Sequence, residues 1–290
     1  MRVVLLIHAH KDVEQLNRLI QAVSGRQIAV YVHLDRKSNV DPSLIDGRAK
    51  LVKSRVDVWW GDFSQVQATL NSLTEIDADG DYDYVILVSG LDYPVWPSEK
   101  IVRFLDGSDR REYLQSSTLD ANGWASAADR IDYFYYSRNN LVLKAAYAAL
   151  RTVMRALSLK RHMVGGWRAY GGASWFILSS DCIRYILKYV KDHPSFVNFM
   201  KSVFGPDESF FQTIVMNSQF QDRVVSDIKR YIDWSDCAKG LSPSPNWLTE
   251  RDFDKIIASG AMFCRKVEPT RSAKLMALLD AHRGACGPMP

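Results

Sequence analysis

The chain reads as a single-domain α/β protein whose mostly parallel central sheet carries helices on both faces. Three observations predict this. Residues 3–7, 28–33 and 84–88 are short, continuous apolar runs of strand length. Segments with helical spacing lie between them, and strands alternating with helices are joined by right-handed crossovers into a parallel sheet. Polar turns follow each apolar run, and in such sheets ligands bind beyond the carboxyl ends of the strands.

Residues 3–7 open the sheet. His8, His10, Lys11 and Asp12 follow at once, so the run lacks the long apolar core and small-residue cleavage site of a signal peptide and reads as a buried strand. Residues 13–23 are helical through Leu16, Leu19, Ile20 and Val23. A strand at 28–33, a helix at 63–73, a strand at 84–88 and a short helix at 100–105 complete the first part. The turns His8-Ala9-His10, His33-Leu34-Asp35 and Ser89-Gly90-Leu91-Asp92-Tyr93-Pro94 then fall along one rim, a candidate site. Asp81-Tyr82-Asp83 precedes its strand, on the other side, and reads as a solvated turn.

Residues 139–159 are helical and carry Lys144, Arg151 and Arg155, with Lys160 just beyond. They form either a basic amphipathic surface for anionic lipid or an ordinary solvated face over a core. The Gly171-Gly172 pair is a flexible lead into a strand through Leu178, and Ser180 caps a helix toward Val190. Gly205-Pro206 turns into an amphipathic helix reaching about Ser218. Asp207 and Glu208 sit at its mouth, and Phe210, Phe211, Ile214 and Val215 face a core. A further helix starts near Glu250. No linker is visible, so residues 1–290 are expected to form one domain.

Composition excludes several classes. With 47% hydrophobic and 24% charged residues the chain is globular, and a net charge of +4 is too mild for a nucleic-acid partner. Cys182, Cys237, Cys264 and Cys286 form no CxxC pair, so neither a disulfide framework nor a zinc site is expected, and a reducing cytoplasm is the default. No apolar run approaches the roughly 18 residues of a membrane span. Neither GxGxxG nor GxxxxGK[ST] occurs, which removes the dinucleotide and P-loop readings.

Five segments carry a resemblance: VHLDRKS (32–38), WWGDFS (59–64), SGLDYP (89–94), PDESFFQT (206–213) and FCRK (263–266). In this order, with LIHAHKDVEQLNRLI (6–20) ahead of them, the chain resembles the core-2/I-branching β-1,6-N-acetylglucosaminyltransferases and peptide O-xylosyltransferases. ESFFQT, RYIDW and SPSPNWLTERDF are most similar to the xylosyltransferase branch. The resemblance implies a GT-A-like fold and an inverting, metal-independent transferase with a UDP-sugar as co-substrate and no cofactor. It divides the chain into a nucleotide-binding half (1–110) and an acceptor-binding, catalytic half (111–290).

It also implies roles. Glu208 matches the family's catalytic glutamate, with Asp207 as the alternative carboxylate and a candidate acceptor contact. Arg265 and Lys266 match the residues that hold the leaving diphosphate, and Arg230 in KRYIDW answers to a further arginine or is a surface residue. Asp35 matches the uridine-binding aspartate, with His33 on the same strand face. Also on the nucleotide side, Trp60 and Gly61 match a Trp-Gly pair in which the glycine permits close backbone approach and whose following glycine is Asp62 here; Asp92, a further candidate donor-binding residue, is the lone acid where metal-dependent relatives of this fold carry DxD. Trp175 is an acceptor platform or a core residue. The expected partners are a UDP-sugar and a glycan or lipid-linked saccharide acceptor, with peripheral membrane contact through 139–160. The expected setting is a cytoplasmic, bacterial enzyme, placed at the inner membrane face if that contact is made. Two other readings are a non-catalytic sugar-nucleotide binder and a glycoside hydrolase. The latter needs two carboxylates flanking one bond, which the adjacent Asp207 and Glu208 do not supply.

Overall fold

The computed structural model describes residues 1–120, 123–124, 127–240 and 244–285; Ser242 and Pro243 of the SPSP loop, and Cys286, lie outside them. The chain sorts into two compact units, each drawn from separated stretches. The first comprises Met1–Lys53, Asp81–Arg110 and the chain from Asp227 onward; the second comprises Ser54–Gly80 and Arg111–Ser226.

In the first unit β1 (Val3–Ala9), β2 (Ile28–Leu34), β3 (Ala49–Leu51) and β4 (Tyr84–Ser89) run parallel in the spatial order β4-β1-β2-β3. Both central strands are apolar along their length because both faces are covered. His8 is in register with His33 on one side and Ser89 on the other, so the three polar turns do share an edge. Helix Val13–Val23 buries Leu16, Leu19, Ile20 and Val23, and helix Ser98–Asp106 buries Ile101, Val102 and Leu105. The Asp81-Tyr82-Asp83 turn lies at the opposite edge but is not wholly solvated. Tyr82 is buried, and Asp83 exchanges hydrogen bonds with the backbone of Arg2.

A second sheet in this unit pairs Asp92–Pro94 antiparallel with Phe263–Arg265, which pairs in parallel with Arg230–Ile232. Its register sets Arg265 opposite Asp92. Tyr93 and Cys264 pack beneath it on Leu248, Ile256, Leu275, Met276 and Leu279.

In the second unit Glu112–Leu114 pairs antiparallel with Phe176–Ser179 and in parallel with Val224–Val225. Phe63, Phe196 and Phe211 surround Phe210 with ring centroids 5.2–5.6 Å away. The cap of helix Ser180–Asp192 is Ser179, one residue earlier than expected. Its Oγ accepts the Cys182 N–H at 3.3 Å and donates to the buried Glu112 carboxylate at 2.5 Å. Helix Leu141–Ala156 begins on an Asn140 cap.

Two expected elements are divided. The Gly171–Leu178 strand is two strands, Tyr170–Gly171 and Phe176–Ser179, separated by a loop. The helix expected from Pro206 to Ser218 is a 3-10 turn, Pro206–Glu208, followed by the α-helix Phe210–Met216. The break falls at Ser209, whose φ is −141°. The Glu208 carbonyl there accepts the Gly172 N–H at 2.8 Å. Long-range pairing replaces the helical continuation.

Candidate active site

In the second unit the Gly172–Trp175 loop clamps the acidic turn. Besides the Gly172–Glu208 bond, Ser174 Oγ donates to Asp207 Oδ2 at 2.6 Å, and Gln212 Nε2 donates to the Ala173 carbonyl at 2.7 Å. Gln65 Nε2 adds a second donor to Asp207 Oδ2 at 3.0 Å. The glycine pair therefore serves close approach rather than flexibility. A Cβ on Gly172 would lie 2.0 Å from the Gln115 carbonyl oxygen, and one on Gly171 would lie 3.2 Å from the Glu208 carbonyl oxygen.

The two carboxylates of this turn differ in surroundings. Asp207 is held by Ser174 and Gln65, and burial, with the Glu208 charge beside it, pushes its carboxyl up to about 6 against the pull of the Ser174 bond. Glu208 is half-exposed and pairs through Oε2 with Nη1 of Arg130. The Arg130 guanidinium lies 4.9 Å from the Trp124 ring and 5.7 Å from the Phe204 ring.

Phe204 also packs edge-on against Trp60 at 5.3 Å and touches Tyr135 at 5.5 Å. Trp60 itself is 80% exposed, an aromatic face open to a ligand. Gly61 has φ +69°, and a Cβ there would meet the Phe204 ring at 2.9 Å, so its close approach is to Phe204. Asp62, where the family resemblance leads one to expect glycine, accepts the Ser64 N–H at 2.9 Å and pairs with Arg138 at 3.2 Å. Trp175 lies half-buried in the clamp loop, outside the strand.

The first unit gathers the cations. Asp92 is 0% exposed, with Arg230 Nε 3.0 Å from Oδ1 and Arg265 Nη1 3.8 Å from Oδ2. The Ser89 N–H also donates to Oδ2 at 2.5 Å. Arg230, which also donates to the Leu87 carbonyl, is no surface residue: its side chain is 2% exposed. Burial pushes its guanidinium down to about 10 and lowers that of Arg265. Two buried arginines thus share the Asp92 carboxylate. Strand Phe263–Arg265 ends at Arg265, so Lys266 escapes strand alternation. Its Nζ donates to Ser244 Oγ at 3.1 Å and lies 4.6 Å from the Trp247 ring. Lys11 and Arg271 flank the same indole at 5.7 and 5.8 Å. Burial, then Arg265 and Lys11, lower the Lys266 ammonium below its ordinary range. Ser244, Trp247, Thr249, Asp252, Lys266 and Arg271 line an open cavity of about 490 Å³.

At the rim of the parallel sheet, Asp35 is almost fully buried and is held by Lys37, whose N–H reaches Oδ1 at 3.1 Å and Nζ reaches Oδ2 at 2.7 Å. His33 is buried, its ring 5.4 Å from that of His8. Burial and the facing His33 push the His8 imidazole down to about 3. Among the described residues no group of three His, Cys, Asp or Glu side chains is arranged to hold a metal.

The structure thus brings Asp92, Arg230 and Arg265 together in one unit, and Asp207, Glu208, Trp60 and Gly61 into one network in the other. Arg130, Phe204, Lys11, Lys37, Trp247 and Arg271 were not foreseen. For Arg130 the signal was faint: one cation in the aromatic run DRIDYFYY.

A family model described as "Core-2/I-Branching enzyme" matches residues 3–257. Xylosyltransferase 2 of Canis lupus familiaris is 24% identical over 306 residues, covering 96% of this chain and 33% of that protein. Xylosyltransferase 1 of Rattus norvegicus is 25% identical over 309 residues, covering 96% and 35%. The chain spans about a third of the length of these curated relatives. Among solved structures, the galactosyltransferase LgtC with donor and acceptor sugar analogues aligns at TM-score 0.42 and 10% identity, covering 99% of this chain and 97% of that one. Apo mouse xyloside xylosyltransferase 1 aligns at 0.37 and 8%, covering 91% and 96%. With the family model matched along most of its length, the chain belongs to the core-2/I-branching enzyme family.

Proposed function

We propose that this chain is an inverting glycosyltransferase of GT-A-like fold. It moves xylose or N-acetylglucosamine from a UDP-sugar to an acceptor hydroxyl without a divalent metal. The observation that carries this reading is Glu208: a half-exposed carboxylate, clamped through its backbone by Gly172 and oriented by Arg130, in the segment that resembles the family's catalytic glutamate. Glu208 takes the acceptor O–H proton as that oxygen attacks the anomeric carbon opposite the diphosphate. The bond from carbon to diphosphate oxygen breaks, and UDP leaves with the electron pair, inverting the centre. A placed carboxylate base contributes on the order of 10²–10⁴-fold.

Charge on the leaving diphosphate is met by fixed cations. Lys266 is the accessible one, with Lys11 and Arg271 beside it around Trp247 and its sequence neighbour Arg265 adding positive charge from Asp92. Asp35 accepts from the uracil or ribose, with His33 and Asp92 as buried supports. Trp60 offers its exposed aromatic face on the nucleotide side, and Trp175 offers one to a glycan or lipid-linked acceptor. The names of the xylosyltransferase relatives make UDP-xylose the first donor to test.

The test is a panel of UDP-sugars assayed with excess EDTA or magnesium, on the wild-type chain and Glu208→Gln. One UDP-sugar should turn over in EDTA within about tenfold of the magnesium rate, roughly 1.4 kcal/mol of barrier. Glu208→Gln should lose about 10²-fold or more in kcat while calorimetry shows unchanged UDP affinity. A collapse of the rate in EDTA removes the cation-only leaving-group site; an active Glu208→Gln removes Glu208 as base.

A further inference from the structure

Helix Leu141–Ala156 is mounted the wrong way round for a helix over a core. Of its residues Met154 is buried, and Tyr147 and Arg151 are half-buried on the same stripe. It is moored largely by cations resting on aromatic rings. Arg151 lies 4.4 Å from the Tyr135 ring, Arg155 lies 4.9 Å from Tyr133, and beyond the helix Arg161 lies 4.3 Å from Phe134. Tyr147 adds a ring contact with Tyr136 at 5.8 Å.

The apolar side chains face outward instead. At about 100° per residue, Leu141, Val142, Ala145, Ala149 and Val153 fall on one arc opposite the mooring stripe. Leu141 is 81% and Val142 77% exposed, and Val153, Leu157 and Leu159 are exposed as well. Lys144 and Arg155 border this arc. From Tyr133 to Ser180 the sequence has seven Lys and Arg and no Asp or Glu. Arg155 and Lys160 meet Asp129 and Asp132 from the preceding segment, whereas Lys144 has no ion-pair partner among the described residues. An exposed apolar face of this extent marks an interaction surface.

We propose that this helix lies flat on an anionic bilayer, its Leu and Val side chains entering the acyl boundary and its cations meeting lipid phosphates. The charge pattern selects this occupant. A second copy docked on the same face would set Lys144 against its own kind, and residues 141–156 hold no acid to answer it. Nucleic acid would gain nothing from an apolar arc. No helix among the described residues is long and apolar enough to cross a membrane, so contact through this helix is peripheral.

The test is sedimentation of the whole chain with phosphatidylcholine vesicles made with or without phosphatidylglycerol, at low and raised salt, beside Val142→Glu/Val153→Glu and Lys144→Glu. Wild type should bind the anionic vesicles at least about tenfold better than neutral ones and release in salt. The Val double variant should lose about tenfold or more with an unchanged thermal midpoint, and Lys144→Glu should lose binding to anionic vesicles alone. Wild type remaining unbound, or variants binding as well as wild type, overturns the proposal. So does a dimer in sedimentation velocity that the Val double variant dissociates, which would make the face a self-interface. Should the double variant not fold, wild type and Lys144→Glu decide.

Discussion

Arg130 holds Oε2 of Glu208 from 78 residues away in the chain, with its guanidinium packed against Trp124 and Phe204. The orientation of this acid is therefore set by aromatic packing on its partner as much as by its own turn. Both side chains are partly exposed, so the pair contributes only about 0–1 kcal/mol to stability. Its consequence is positional.

Replacing Arg130 by Ala should accordingly lower kcat by about 10–100-fold, because a misplaced base loses the near-attack geometry. The KM for the UDP-sugar should move little, since the proposed function assigns Arg130 no donor contact. Arg130→Lys keeps the charge without the planar fork and should fall between. Steady-state kinetics on the three proteins separates these effects; a rise in KM at constant kcat would make Arg130 a binding residue.

The Asp207 carboxyl, raised to about 6, makes a pH prediction. Its folded value lies above the ordinary carboxylate value, so the folded state holds a proton that the unfolded chain has already released. The contribution is fully present below the unfolded value and is lost as pH rises through about 6. Asp207→Asn is neutral throughout. Its melting temperature relative to wild type should therefore climb as pH rises from the unfolded carboxylate range through 6, superimposed on a constant loss from the weakened Ser174 and Gln65 bonds. A difference that stays flat across this range would remove the raised carboxyl.

Gly172 is a close-approach position, so Gly172→Ala should be felt at Glu208. With a Cβ 2.0 Å from the Gln115 carbonyl oxygen, the loop must shift and the bond to the Glu208 carbonyl must lengthen. A cost of about 1–3 kcal/mol is expected, together with a fall in kcat. Denaturant unfolding gives the first quantity. Full activity at reduced stability would separate the clamp from catalysis.

Asp92 is fully buried and meets both Arg230 and Arg265, so Asp92→Asn should be among the most destabilising single changes available. Leaving a buried charge without its partner costs about 3–5 kcal/mol. Thermal melting should drop by many degrees, or the protein should fail to accumulate. A neutral result would mean that the arginines are answered by solvent.

Much of the molecule was legible from local pattern. The apolar runs of β1, β2 and β4, and the spacing of Leu16, Leu19, Ile20 and Val23, sufficed because strand and helix periodicities are nearest-neighbour properties. The shared rim of His8, His33 and Ser89 followed from strand alternation and crossover handedness. Glu208, Asp35 and Lys266 stood out as residue types in a familiar order, without their surroundings.

What the tertiary structure decided lies at long sequence separation. Continuous helical pattern ran through Glu208, yet its carbonyl pairs with Gly172 and the helix starts two residues later. Gly171-Gly172 looked like a hinge because a glycine shows the same letter whether it supplies freedom or space. Sequence left Arg230 open between the family's further arginine and a surface residue; the pairing of Arg230–Ile232 with Phe263–Arg265, itself paired with Asp92–Pro94, buries it on a carboxylate. Helix Leu141–Ala156 is amphipathic in sequence, but periodicity carries no sign. Which stripe faces inward is chosen by the rings of Tyr133, Phe134, Tyr135 and Tyr136 that meet it. Spacing along the chain defines faces; only folding determines what each face touches.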